Sequence, residues 1–167
     1  DLPFRFARAG GTGISSTDQV DYDSNGNRTE IRRGIESDPR VTTSVYDGYD
    51  RLVQMTDPMG KIVSIHYDAN GNLTSSRCDG ELEDAPGTSG NVRLAEEIFE
   101  FDVMNRRTSV RSQHFDPATQ TPIGDGESIT GTVFSNASLV VSVTNDNGHT
   151  KTKTYDTALR LSRATDA

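Results

Sequence analysis

The chain has no tryptophan, one cysteine and three histidines among 167 residues. The lone thiol, Cys78, excludes an intrachain disulfide framework, and no neighbour would activate it as a nucleophile. His66, His114 and His149 are far apart and lack a metal-ligand spacing, so each reads as an ordinary sheet or loop histidine. A nucleophile-elbow G-x-S-x-G is missing, as is any glycine-rich loop leading into a helix. These absences point away from an enzyme, and no cofactor is expected.

Apolar residues are also scarce, at 32% of the chain with a mean hydropathy of −0.63. That is little for a compact sandwich core, so a thin structure with much exposed polar sheet is expected. No apolar run approaches the length of a transmembrane helix. Asp1-Leu2-Pro3-Phe4 is not a signal peptide, and the chain reads as a mature or partial product, a segment of something longer. Basic residues are outnumbered, giving a net charge of −8 and a pI near 4.8. Nucleic acid is therefore not an expected partner, since phosphate binding needs clustered Lys and Arg. Helical windows are nearly absent; residues 92–100 could form one but read better as a strand.

The chain does contain a repeat. An aromatic residue precedes Asp at Tyr22-Asp23, Tyr46-Asp47, Tyr67-Asp68, Phe101-Asp102 and Tyr155-Asp156, with aromatic spacings of 24, 21, 34 and 54 residues. The basic period is roughly 20 residues, with inserts at residues 79–95 and 113–149. Two copies, VDYDSNGNRTEI from Val20 and IHYDANGNLTSS from Ile65, place Asn-Gly between β-prone segments, which signals a type I′ hairpin. Val63, Ile65 and Tyr67 share one strand face by the period of two. Asp68 opens the turn, and Gly71 takes the conformation other residues resist. Gly26 does the same after Asp23. Val133-Phe134 and residues 139–141 flank a polar tetrad and read as a sixth hairpin whose signature is lost.

These residues resemble the YD-repeat, or RHS-repeat, family. Residues 46–60, YDGYDRLVQMTDPMG, match the second half of its pattern through Tyr46, Asp47, Arg51, Leu52, Asp57 and Gly60, with Asp50 where glycine is usual. The segment from Asn147 matches again, except that Leu159 replaces glycine and makes a tight turn there less secure. The resemblance implies an all-β fold of serial antiparallel hairpins in a curved open sheet, part of a spiral shell or barrel-like array. It also implies an architectural role, as in toxin-enclosing cocoons or teneurin-like adhesion proteins, and a secreted or cell-surface location. Residues 1–18 are assigned to an extension or preceding repeat, and 19–167 to the array.

Three sharper roles compete with architecture. Asp57-Pro58-Met59-Gly60 carries the letters of the family's self-cleavage motif, but the lead-in is missing and Asp57 reads as a turn residue. Asp23, Asn25, Asp68 and Asn70 resemble the start of a calcium loop; the glycine and glutamate that should follow are absent, so hairpin turns are the preferred reading and no metal is expected. A glycan or protein ligand could be held by the inserts, although most aromatics occupy the structural repeat position. An open array leaves two sheet edges, which pair with neighbouring repeats or with copies of the chain.

Overall fold

The computed structural model describes residues 4–9, 15–35, 38–83 and 90–166. The centre of the first insert, residues 84–89, and residues 1–3 and 10–14 of the N-terminal extension lie outside them. Among the described residues there is no helix. Thirteen strands run β1 Phe4–Ala9, β2 Ser15–Tyr22, β3 Arg28–Arg33, β4 Arg40–Tyr46, β5 Leu52–Thr56, β6 Ile62–Tyr67, β7 Leu73–Gly80, β8 Val92–Phe101, β9 Arg107–Phe115, β10 Pro122–Phe134, β11 Val140–Thr144, β12 Thr150–Tyr155 and β13 Leu161–Asp166. Within each of the two units described below, neighbouring strands of the sheet follow their order in the chain. The segment that could have been a helix is β8, whose Ile98 and Phe99 pair with Arg111 and Val110 of β9.

Packing divides the chain into two units, Asp1–Ile65 with Arg77–Leu94, and His66–Ser76 with Ala95–Ala167. In the first unit, β1 to β6 pair in series, each antiparallel to the next. Asn91 folds back onto the β5–β6 turn, its side-chain amide donating to the Gly60 carbonyl at 2.7 Å. In the second unit, β8 to β13 pair in the same serial way. Residues 113–149 contribute the end of β9 and all of β10 and β11 to this sheet.

Serial hairpins bury little, because each strand meets only its two neighbours. Among the described residues, Val20 and Phe115 are the only buried apolar side chains, and no large side chain is completely covered. Asp18 is buried as well, and its carboxylate accepts from the Gly34 amide at 3.2 Å beyond β3. Stability must therefore rest largely on ladder hydrogen bonds and cross-strand pairs rather than on a core.

Candidate functional site at the hairpin tips

The links after β2, β4, β6, β8, β10 and β12 follow one plan. Asp23 N–H donates to the Asn27 carbonyl at 3.0 Å, and Gly26 N–H donates to the Asp23 carbonyl at 3.2 Å. The same two bonds recur from Asp47, Asp68, Asp102, Ser135 and Asp156. Where register is defined, the return strand carries one extra residue opposite the aromatic position, as Asp21 faces Glu30 while Tyr22 faces Arg28. This is a three-residue loop with a bulge, not the two-residue type I′ turn expected from Asn-Gly. Only the residue three after the Asp has positive φ, at Gly26 (88°) and Gly71 (87°). A type I turn followed by one left-handed residue needs just that single position.

The aspartates hold this geometry. Asp23 Oδ1 accepts from the amides of Asn25 at 3.0 Å and Asn27 at 2.8 Å. Asp47, Asp68, Asp102 and Asp156 do the same with the second and fourth residues beyond them. Their second oxygen takes the side chain of the fourth residue. In two tips this is an asparagine amide, Asn27 on Asp23 at 3.0 Å and Asn72 on Asp68 at 2.8 Å. In three it is an arginine, with Arg51, Arg106 and Arg160 giving Nε contacts of 2.8, 2.7 and 2.8 Å. Each arginine adds a second nitrogen to the same carboxylate. These donors favour the ionised form. Asn27 first holds Asp23 below its ordinary value, as Arg51 does for Asp47, Asn72 for Asp68 and Arg106 for Asp102. Backbone amides lead for Asp116 and Asp156.

Adjacent tips are joined side chain to side chain. The amides of Asn25 and Asn27 both donate to Asp50 Oδ1, at 2.8 and 2.7 Å. Likewise Asn70 and Asn72 both donate to Asn105 Oδ1, at 3.1 and 2.9 Å. Asp50 and Asn105 are the positive-φ residues of their own turns, each at 60°. The missing glycines are thus explained: Asp and Asn tolerate the left-handed region, and unlike glycine they supply an oxygen there. Arg106 continues the chain of contacts, donating to the Ser135 carbonyl at 2.8 Å and stacking over Phe134 at 4.8 Å. The turn at Leu159 forms too, with φ of 62°, so the glycine replacement does not abolish it. Nothing in the structure explains leucine at that position.

The aromatic position also carries a polar link. Tyr155 Oη donates to the Val140 carbonyl at 2.8 Å, and Tyr46 Oη to the Arg28 carbonyl at 3.3 Å. Both acceptors are the first residue after the preceding tip. Tyr67 and Phe101 are half-buried, whereas Tyr22 is exposed. Leu52 faces Tyr46 across the second hairpin. Phe134 holds the aromatic position of the fifth tip, and Ser135 Oγ replaces the carboxylate by accepting from Leu139 N–H at 3.2 Å. Sequence reading missed Phe134, Arg106, Asn105 and Asn27 as members of this set, although Phe134 stands 21 residues before Tyr155, the spacing of Tyr46 and Tyr67.

The other expected site residues have structural occupations. Asp57 Oδ1 accepts from Met59 and Lys61 amides, both at 2.9 Å, while Gly60 has φ of 88°. The calcium candidates Asp23, Asn25, Asp68 and Asn70 spend their polar atoms on the turn and cross-tip bonds above. Cys78 is a half-buried free thiol. A cleft of about 510 Å³ lies over β11 to β13, lined by Val143, Asn145, His149, Lys151, Lys153 and Asp166. Lys151 is paired there with Asp166 at 3.2 Å. Among the described residues no helix is long and apolar enough to cross a membrane.

Serial antiparallel hairpins within each unit, with an aromatic–Asp turn closing one hairpin after another, define a β-repeat protein. Residues 40–80 match the family model described as RHS Repeat. No curated protein gives a significant sequence match. Among solved structures, the Photorhabdus luminescens Tc holotoxin pore is similar at 14% identity and a TM-score of 0.47, over 98% of this chain and 11% of that one. TcdB2-TccC3 without its hypervariable C-terminal region is similar at 13% identity and a TM-score of 0.45, over 97% of this chain and 11% of that one. The chain thus spans about a tenth of the length of these structures.

Proposed function

We propose that the chain is a non-enzymatic structural segment of a secreted or cell-surface protein, contributing β-sheet to a shell, stalk or fibre. Residues 19–167 serve as the array, and the aromatic–Asp positions with Arg51, Leu52, Asp57 and Gly60 are its repeat-defining residues. The observation that carries this reading is the use of the tip carboxylates. All five aromatic-linked aspartates are bonded to backbone amides of their own turns, which makes them construction elements rather than acids, bases or ligands. The partners are neighbouring repeats or copies of the chain, joined at the strands that end the sheet. Unpaired strand edges recruit further strands through their free N–H and C=O groups, which is how such partners would be joined.

Gel filtration with electron microscopy tests this assignment. Association into extended sheet or shell-like particles is the expected result, and a compact monomer with a ligand in its cleft would overturn it. A second reading, an adhesion module for glycan or protein, is favoured by Tyr49 and Val103, which stand 82% and 99% exposed at turn tips. Glycan-array or partner binding lost in Tyr49→Ser or Val103→Ser would support it. Deleting residues 113–149 is unsuitable as a test, because β10 and β11 would go with them.

A further inference from the structure

Three Asn-Gly pairs occur in turns: Asn25-Gly26, Asn70-Gly71 and Asn147-Gly148. Asn-Gly is the pair most prone to intramolecular attack, since glycine places no side chain in the way of its own nitrogen. In all three turns the glycine N–H is held alike, on the Asp23, Asp68 and Asn145 carbonyls at 3.2, 3.1 and 2.9 Å. The asparagine side chains are not held alike. Asn25 and Asn70 donate to Asp50 and Asn105 of the next tip. Asn147 is exposed, and its amide has no hydrogen bond among the described residues.

We propose that Asn147 is a spontaneous deamidation site, and that the cross-tip bonds protect Asn25 and Asn70 from the same reaction. The Gly148 nitrogen forms a bond to Cγ of Asn147 while the Cγ–Nδ2 bond breaks. Ammonia leaves with the proton from the Gly148 amide, and a succinimide remains. Water then opens the ring at either carbonyl, giving aspartate or isoaspartate. For Asn25 the same swing of Cγ must first release Asp50, and the product would set a second carboxylate against it. For Asn70 it must release Asn105, and two acceptor oxygens would then face each other. Hydrogen bonding thereby separates three chemically identical dipeptides into one reactive and two guarded sites.

The test is incubation of the whole chain at mildly alkaline pH, with peptide mapping to quantify aspartyl and isoaspartyl forms at each pair. Asn147 is expected to convert about fivefold faster than Asn25 or Asn70, the factor that roughly one net hydrogen bond confers on local opening. Asp50→Gly should raise Asn25 towards the rate of Asn147 and leave Asn70 unchanged; Asp50→Asn, which keeps an acceptor, should leave Asn25 guarded. Equal rates at the three pairs, or no change at Asn25 in Asp50→Gly, would overturn the proposal. Because Asn70 is measured in the same sample, a variant that fails to fold reveals itself there, and Asn105→Gly then supplies the reciprocal comparison.

Discussion

Asn27 donates its side-chain amide to two aspartates at once, Asp23 of its own turn at 3.0 Å and Asp50 of the next at 2.7 Å. One residue therefore closes a hairpin and fastens it to its neighbour. Asn72 stands in the same relation to Asp68 and Asn105, at 2.8 and 2.9 Å.

The double role of Asn105 can be separated by two substitutions. Asn105→Ala keeps the strained φ and removes the acceptor, so it should lower unfolding free energy by about 1 kcal/mol. Asn105→Gly also removes the acceptor but relieves the backbone, and should lie within about 0.5 kcal/mol of the parent. Urea titration measures both, and equal losses in the two variants would refute the assignment.

Leu159 has left-handed backbone and an exposed side chain. Leu159→Gly should therefore stabilise the chain, by up to about 1 kcal/mol, because strain is removed while little burial is lost. A lower thermal midpoint in this variant would contradict that account.

The tyrosine hydroxyls should differ in worth. Tyr155→Phe removes a 2.8 Å bond and should cost about 1 kcal/mol. Tyr46→Phe removes a longer one, 3.3 Å, and should have the smaller effect in the same denaturant assay. The reverse order would show that these hydroxyl bonds do not link hairpins as described.

Acid should loosen the tips. Asp23, Asp47, Asp68, Asp102, Asp116 and Asp156 are all held below the ordinary value of 3.8. A carboxylate depressed in the folded state contributes stability that is complete above the unfolded value and is lost as pH falls through the folded one. Urea midpoints should accordingly be level down to about pH 5 and fall progressively below about pH 4. Asp102→Asn should flatten part of that slope, and an unchanged slope would remove Asp102 from the explanation.

The hairpin array was legible because its signals are local. Tyr67-Asp68 followed by Asn70-Gly71 specifies strand, turn and return within a few residues, and the alternation of Val63, Ile65 and Tyr67 needs no distant partner. The turn type was misread because Asn-Gly advertises two positive-φ residues, whereas the Asp68 carboxylate captures the Asn70 and Asn72 amides and leaves only Gly71 left-handed. Asp50 and Leu159 looked like defects because a glycine pattern records backbone preference alone. The reason for Asp50 lies 23 residues away, in the amide of Asn27, a distance that no single-turn reading spans. The hairpin around Ser135 was legible from its flanking apolar residues, but its kinship with the aromatic–Asp turns was not, because a hydroxyl rather than a carboxylate closes it.

The cross-tip bonds also have a direction. In the first and third tips the left-handed residue is glycine, which accepts nothing through a side chain, and the asparagines reach forward to the tip that follows. A hairpin of the Asn-Gly-Asn kind followed by another of its own kind would find no side-chain oxygen at that position. The smallest interchangeable module is consequently a pair of hairpins, an asparagine-rich one and its receiver. Moving such a pair as a whole keeps its donors with their acceptor, whereas inserting a hairpin inside the pair would part them.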